Sequence, residues 1–185
     1  MVTVFRNVLL GLIAIVGVLA IVVVFQSSEL RVSRETKIDA PPATVFEQVN
    51  DLHKWQEWSP WDKMDPEMKR SFDGPPSGKN ASYAWSGNDQ VGEGKMTIIE
   101  SKPNELIRVK LDFVRPWPSA NEVEFHFKPE GASTETTWTM TCNKNFMAKA
   151  AGLFMNMEKL IGGDFEKGLA EMKKVSEEQA KATAK

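Results

Sequence analysis

Few residues in this chain have types and spacings that could do chemistry. The two histidines are the natural general bases, but His126 falls on the polar side of an alternating run and His53 opens a tryptophan-rich segment. Neither has a nucleophile or a second base at a spacing that would position a proton transfer, so no triad can be assembled. Asp62, Asp65 and Glu67 form an acidic group without the glycine and distant glutamate of a calcium loop, and they read as a solvated loop. Cys142 is the single cysteine, which excludes an internal disulfide and a cysteine metal cluster. No metal site and no cofactor are expected. Asn80-Ala81-Ser82 fits the glycosylation acceptor pattern, which has meaning only in a eukaryotic secretory setting. Arg108, Asp112 and Glu124 fall on the outward phase of their alternating runs, and a register slip of one residue would turn them inward.

The elements that must carry these residues show clear periods. Residues 30–40 read as a strand that Pro41 and Pro42 stop, after which Val45, Phe46, Val49 and Leu52 recur at helical spacing. Trp55, Trp58 and Trp61 follow at threes, a broad and rigid apolar surface suited to closing a core or touching a ligand. Beyond Trp61 the pattern turns to short alternating runs between turn residues such as Asp73-Gly74 and Ser86-Gly87. Tyr83 with Trp85, Met96 with Ile98, Val109 with Leu111 and Phe113, Phe125 with Phe127, and Trp138 with Met140 and Cys142 each hold one phase, as in a half-buried antiparallel sheet.

After Asn145 the period becomes helical. Ala150, Leu153, Phe154, Met157, Leu160, Ile161, Phe165, Leu169, Met172 and Val175 trace one face of a long helix that only a broad curved sheet could cover. Gly162 and Gly163 interrupt it at about 1 kcal/mol each relative to alanine, so a kink is expected there. The last residues, 179–185, are polar and expected to be a disordered tail.

Residues 8–25 are uncharged and almost wholly apolar, and at about 1.5 Å per residue they reach about 27 Å, near the thickness of a bilayer's hydrocarbon. The run is longer than the apolar part of a signal peptide, and no small-x-small site follows it, so an uncleaved single-pass anchor is expected over residues 1–29. Basic residues lie on both sides of the span, and the short leading tail favours a domain on the non-cytoplasmic side, periplasmic or extracellular. The remaining length suits one domain, 30–178. The net charge is −2 and no long basic run exists, which speaks against a nucleic-acid partner.

Two segments resemble a known family. Ala40, Pro41, Pro42, Val45, Phe46, Val49 and Asp51, followed by Trp55, Trp58, Ser59, Pro60 and Trp61, are similar to the "APP..VF..V.D" and "W..WSPW" patterns of the polyketide cyclase/dehydrase branch of the START-like superfamily. Gly163, Asp164, Phe165, Glu166, Lys167, Gly168 and Leu169 resemble that branch's closing helix. The resemblance implies an α+β helix-grip fold: a curved antiparallel sheet of about seven strands around a long C-terminal helix, with two short helices after the first strand. It also implies a cavity between sheet and helix. Its walls would be Trp58, Trp61, Tyr83, Trp85, Met96, Ile98, Val109, Leu111, Phe113, Phe125, Phe127, Trp138 and Met140, faced by Phe154, Met157, Ile161 and Phe165. The same stripes also fit a filled core, because aromatic and methionine residues at these periods serve packing equally well. The expectation is non-catalytic binding of a small hydrophobic or lipid-like molecule by a membrane-anchored domain, with no protein partner indicated. A cyclase- or dehydratase-like enzyme acting on a polyketide, and an interaction module with a filled core like the superfamily's co-chaperone activator, stay open.

Overall fold

The computed structural model describes residues 2–183. Their contacts divide into two units: one is the chain up to Leu30 together with Asn143–Met157, and the other is Arg31–Cys142 together with the chain from Glu158 on.

In the first unit, helix α1 (Val2–Phe25) contains a stretch, Val4–Phe25, long and apolar enough to cross a membrane, with most of its side chains exposed. A signal sequence would pass the same test of length and composition. The short helix α5 (Phe146–Ala151) packs against α1. Asn145 caps it by accepting from the Ala148 N–H at 2.8 Å, and the Lys144 N–H donates to the Ser28 carbonyl at 2.7 Å.

The second unit is built on strands β1 (Glu29–Ile38), β2 (Lys69–Asp73), β3 (Ser82–Ser86), β4 (Glu93–Lys102), β5 (Leu106–Arg115), β6 (Ser119–Glu130) and β7 (Ser133–Asn143). They form a seven-stranded sheet in the order β1-β7-β6-β5-β4-β3-β2, antiparallel from β2 through β7. Helix α2 (Pro42–Asn50) starts where proline tolerates a missing N–H, and a short 3-10 turn, Leu52–Lys54, leads into α3 (Trp55–Trp58) and α4 (Pro60–Met64). The indoles of Trp55 and Trp58 donate to the Val49 and Gln48 carbonyls at 3.1 and 2.9 Å, which folds the tryptophan segment back onto the end of α2. Helix α6 (Met157–Thr183) lays Phe165, Leu169 and Met172 into the core. The fold is α+β, a seven-stranded antiparallel sheet packed on a long C-terminal helix.

Two expectations fail. The long helix does not run unbroken from Ala150: α5 ends at Ala151, a turn follows, and Phe154 is 82% exposed instead of facing the sheet. Helix α6 continues as one helix through Gly162 and Gly163. Gly162 serves close approach, because a Cβ there would collide with the Arg34 guanidinium, which reaches across it to Glu158 and Glu166 at 2.7 and 2.6 Å. The stretch read as a disordered tail is helical over residues 179–183; residues 184 and 185 lie outside the described chain.

Candidate functional site

The pairing register sorts the concave face of the sheet into rows. Ile107, Phe125 and Trp138 are neighbours in one row, and Ile98, Val109, Val123 and Met140 in the next. Phe72, Tyr83, Met96, Leu111, Asn121 and Cys142 follow, and the outermost row is Arg70, Trp85, Gly94, Phe113 and Ser119. Paired residues in a sheet point to the same side, so each row is a strip of wall facing the helices.

The first row is closed by aromatic rings. Trp138 stacks on Phe125 at 4.9 Å and on Phe165 of α6 at 4.0 Å, while the edges of Trp58, Trp61 and Trp55 meet it at 5.5, 5.9 and 6.5 Å. Such pairs add about 0.5–1.5 kcal/mol each beyond the area they bury. That surplus offsets a cost in the same place, because the Trp138 indole N–H is buried without a partner among the described residues, worth about 1–3 kcal/mol against folding. Gly168 permits the stack: a Cβ there would lie 2.8 Å from the Trp138 ring and 3.2 Å from Pro60.

Toward the other end the cover thins. Along β5, Ile107 and Val109 are buried, and Leu111 and Phe113 are half-buried. Along β6 burial decreases from Phe127, Phe125 and Val123 to Asn121, and Ser119 is exposed; along β7, Trp138 and Met140 are buried and Cys142 is half-buried. Ile161, one turn of α6 before Phe165, is half-buried as well. Trp117, in the β5–β6 turn beside the outermost row, is 78% exposed. The concave face is therefore sealed at the Trp138 end and less covered along β5, β6 and β7 toward the Phe113 end, although Tyr83, Trp85 and Met96 on β3 and β4 are buried there too; that end of the wall is apolar apart from Asn121, Ser119, the Tyr83 hydroxyl and the arm of Arg70.

That arm belongs to a polar cluster. Arg70 holds the buried Asp62 carboxylate at 2.7 Å and donates to the Met68 carbonyl at 2.9 Å. Beside the pair, the Tyr83 hydroxyl is buried without a hydrogen bond of good geometry. Burial, then the neighbouring Asp62 charge, push its pKa up to about 12. Asp65 is buried too and accepts from the Asn88 N–H at 2.7 Å. The acidic group is thus not a solvated loop: Asp62 and Asp65 are structural acceptors, and Glu67 alone is exposed. No metal-holding cluster of histidine, cysteine and carboxylates occurs among the described residues.

Of the remaining candidates for chemistry, Arg108, Asp112, Glu124 and His126 lie on the opposite face of the sheet, while His53 packs on Phe72 at the β2 edge of an inward row. Arg108 ties Glu100, Glu122 and Glu124 together on the convex face, and Asp112 pairs with Lys110. Partial burial pushes the Glu124 carboxyl up, but hydrogen bonds from Arg108 and His126 outweigh it and hold it below the usual range. His126 lies 3.2 Å from Glu124, and His53 stacks on Phe72 at 4.0 Å and bonds Asp51; both histidines are exposed.

Of the residues expected to line a cavity, Trp58, Ile98, Val109, Phe125, Phe127, Trp138, Met140 and Phe165 are buried side chains of the packed end and the rows nearest it, with Trp61 half-buried against Trp138 and Phe165. Tyr83, Trp85, Met96, Leu111 and Phe113 fall in the two outer rows. Phe154 and Met157 belong to the other unit. Arg70, Phe72, Asn121 and Ser119 were missed. The inward residues of β2 are an arginine and a phenylalanine, which carry no apolar alternation, and the inward residues that open β6 are polar.

A family model described as "Polyketide cyclase / dehydrase and lipid transport" matches residues 29–177. No curated protein matches the chain. Solved structures share the fold at low identity. The Mll3558 protein from Rhizobium loti has 20% identity and a TM-score of 0.55 over 77% of this chain and 96% of its own. The Aha1 dimer from Colwellia psychrerythraea has 12% identity and a TM-score of 0.58 over 80% and 96%. Ara h 8.0201 has 9% identity and a TM-score of 0.54 over 83% and 99%.

Proposed function

The chain belongs to the polyketide cyclase / dehydrase and lipid transport family, and from that premise we propose that it binds a small hydrophobic or lipid-like molecule without changing it chemically. The ligand's apolar part lies on the outer rows, against the half-buried Leu111 and Phe113 and beside the buried Trp85 and Met96, with Asn121 as the group that orients a polar end. One observation carries this reading: along β5 the inward-facing side chains pass from buried Ile107 and Val109 to half-buried Leu111 and Phe113, and along β7 from buried Trp138 and Met140 to half-buried Cys142, while Tyr83, Trp85 and Met96 on β3 and β4 stay buried. Helix α1 stays uncleaved in this reading and holds the folded unit at a bilayer, on the non-cytoplasmic side, where such ligands partition.

The enzyme reading draws little support from the site. Arg108, Asp112 and Glu124 are committed to ion pairs on the convex face, and Arg70 is committed to Asp62. An interaction module would expose a patch of tryptophans, yet Trp55 and Trp58 are buried and Trp61 is half-buried, which leaves Trp117 as the exposed one of the four.

The test is titration of the full chain in lipid nanodiscs with a brominated fatty acid, which quenches nearby indoles. Saturable quenching, largely lost in Trp85→Phe, is expected. Quenching that grows without saturation, or that Trp85→Phe leaves unchanged, contradicts binding at the outer rows.

A further inference from the structure

We propose that the segment Asn143–Met157 is a second membrane contact, a monotopic patch that lies in the interface of the bilayer α1 crosses; this rests on the anchor reading given above. Phe146, Met147, Phe154 and Met155 are 53%, 73%, 82% and 49% exposed, a concentration of large apolar side chains within ten residues of chain. The segment carries Lys144 and Lys149 and no acidic residue. Apolar side chains with basic neighbours suit the boundary between anionic headgroups and acyl chains, where such segments sink about 5–10 Å.

Its place in its own unit fixes the occupant. The Lys144 N–H bonds the Ser28 carbonyl, three residues past the end of α1, and α5 packs against α1. Gly152 lies near Gln26, where a Cβ would meet the amide oxygen at 3.8 Å. Residues 26–28 are where an apolar span ending at Phe25 leaves the hydrocarbon, so the patch sits at the depth of the headgroups. A water-facing surface would leave the exposed parts of four large apolar side chains without cover.

The experiment uses the full chain with Cys142→Ser, reconstituted in nanodiscs containing anionic lipid and labelled with an environment-sensitive dye at Phe154→Cys or, separately, Met147→Cys. Both sites are exposed, so neither change removes core packing. Asp89→Cys, on an exposed turn, is the aqueous reference, and Val18→Cys reports α1. With spin-labelled lipid in the disc, the labels at Phe154 and Met147 are expected to lose roughly half their emission and the label at Asp89 almost none. Quenching at Val18 without quenching at Phe154 and Met147 overturns the inference and leaves the anchor standing. No quenching at Val18 overturns the anchor and the inference with it. Labels at Phe154 and Met147 that shift to the blue yet ignore the spin-labelled lipid show cover by protein, which also overturns it.

Discussion

The two ends of one concave wall differ in what meets them. At the Trp138 end, indole and phenyl rings from α3, α4, β6 and α6 converge within 4.0–6.5 Å of that one side chain. At the Phe113 end, the strands present side chains of the same type and phase, and Leu111, Phe113 and Cys142 stay half-covered while Trp85 and Met96 are buried. The difference teaches that alternation along a strand decides which face a residue takes, while the packing of that face depends on elements far away in sequence.

Truncation at the two ends should separate them most strongly. Trp138→Ala is expected to cost about 3–5 kcal/mol of stability in chemical denaturation, because it empties a fully enclosed site. Phe113→Ala should cost about 1–2 kcal/mol, since part of that ring's surface stays exposed, while weakening fatty-acid binding. Equal losses would erase the distinction.

Gly168→Ala sharpens it from the helix side. The added carbon lies 2.8 Å from the Trp138 ring, and the expected loss of about 1–3 kcal/mol prevails although alanine is the better helix former by about 1 kcal/mol.

A third difference is in pH. Tyr83 is buried in the row of Met96 and Leu111, where burial and Asp62 raise its pKa from 10.0 to about 12. The unfolded chain then loses this proton first, so the contribution is complete below pH 10 and is lost as pH rises toward 12. Alkaline denaturation should show that decline in the parent chain and a flatter profile in Tyr83→Phe; identical profiles would remove Tyr83 as the cause.

The smallest effect should come from Gly162→Ala. The displaced group is the mobile end of Arg34, whose pairs with Glu158 and Glu166 are exposed and worth little, so the helix-propensity gain balances the loss to within about 0.5 kcal/mol. A thermal melt checks it.

Much of this was legible in residues. The alternating runs placed Trp138, Phe125 and Val109 inside and Arg108, Asp112 and Glu124 outside, because period two is a property of the strand itself. The helix that begins near Asn145 was misread: the apolar spacing continues through Phe154 and Leu160, and periodicity cannot tell a face that meets a core from one that meets nothing in the same chain. Asp62 and Asp65 looked solvated because their partners, Arg70 and the Asn88 amide, come from a strand and a turn that give no apolar signal. Which part of the wall stays half-covered could not be read at all, since that depends on where α6 begins to cover it.

Cys142 is the chain's only thiol, and it lies half-buried in the row of Leu111 and Asn121. The most direct measurement is therefore its rate of modification by a thiol reagent in the full chain in nanodiscs, with and without added fatty acid. A ligand resting on the outer rows slows the reaction saturably, at the concentrations that quench Trp85. A rate that the fatty acid leaves unchanged contradicts the account.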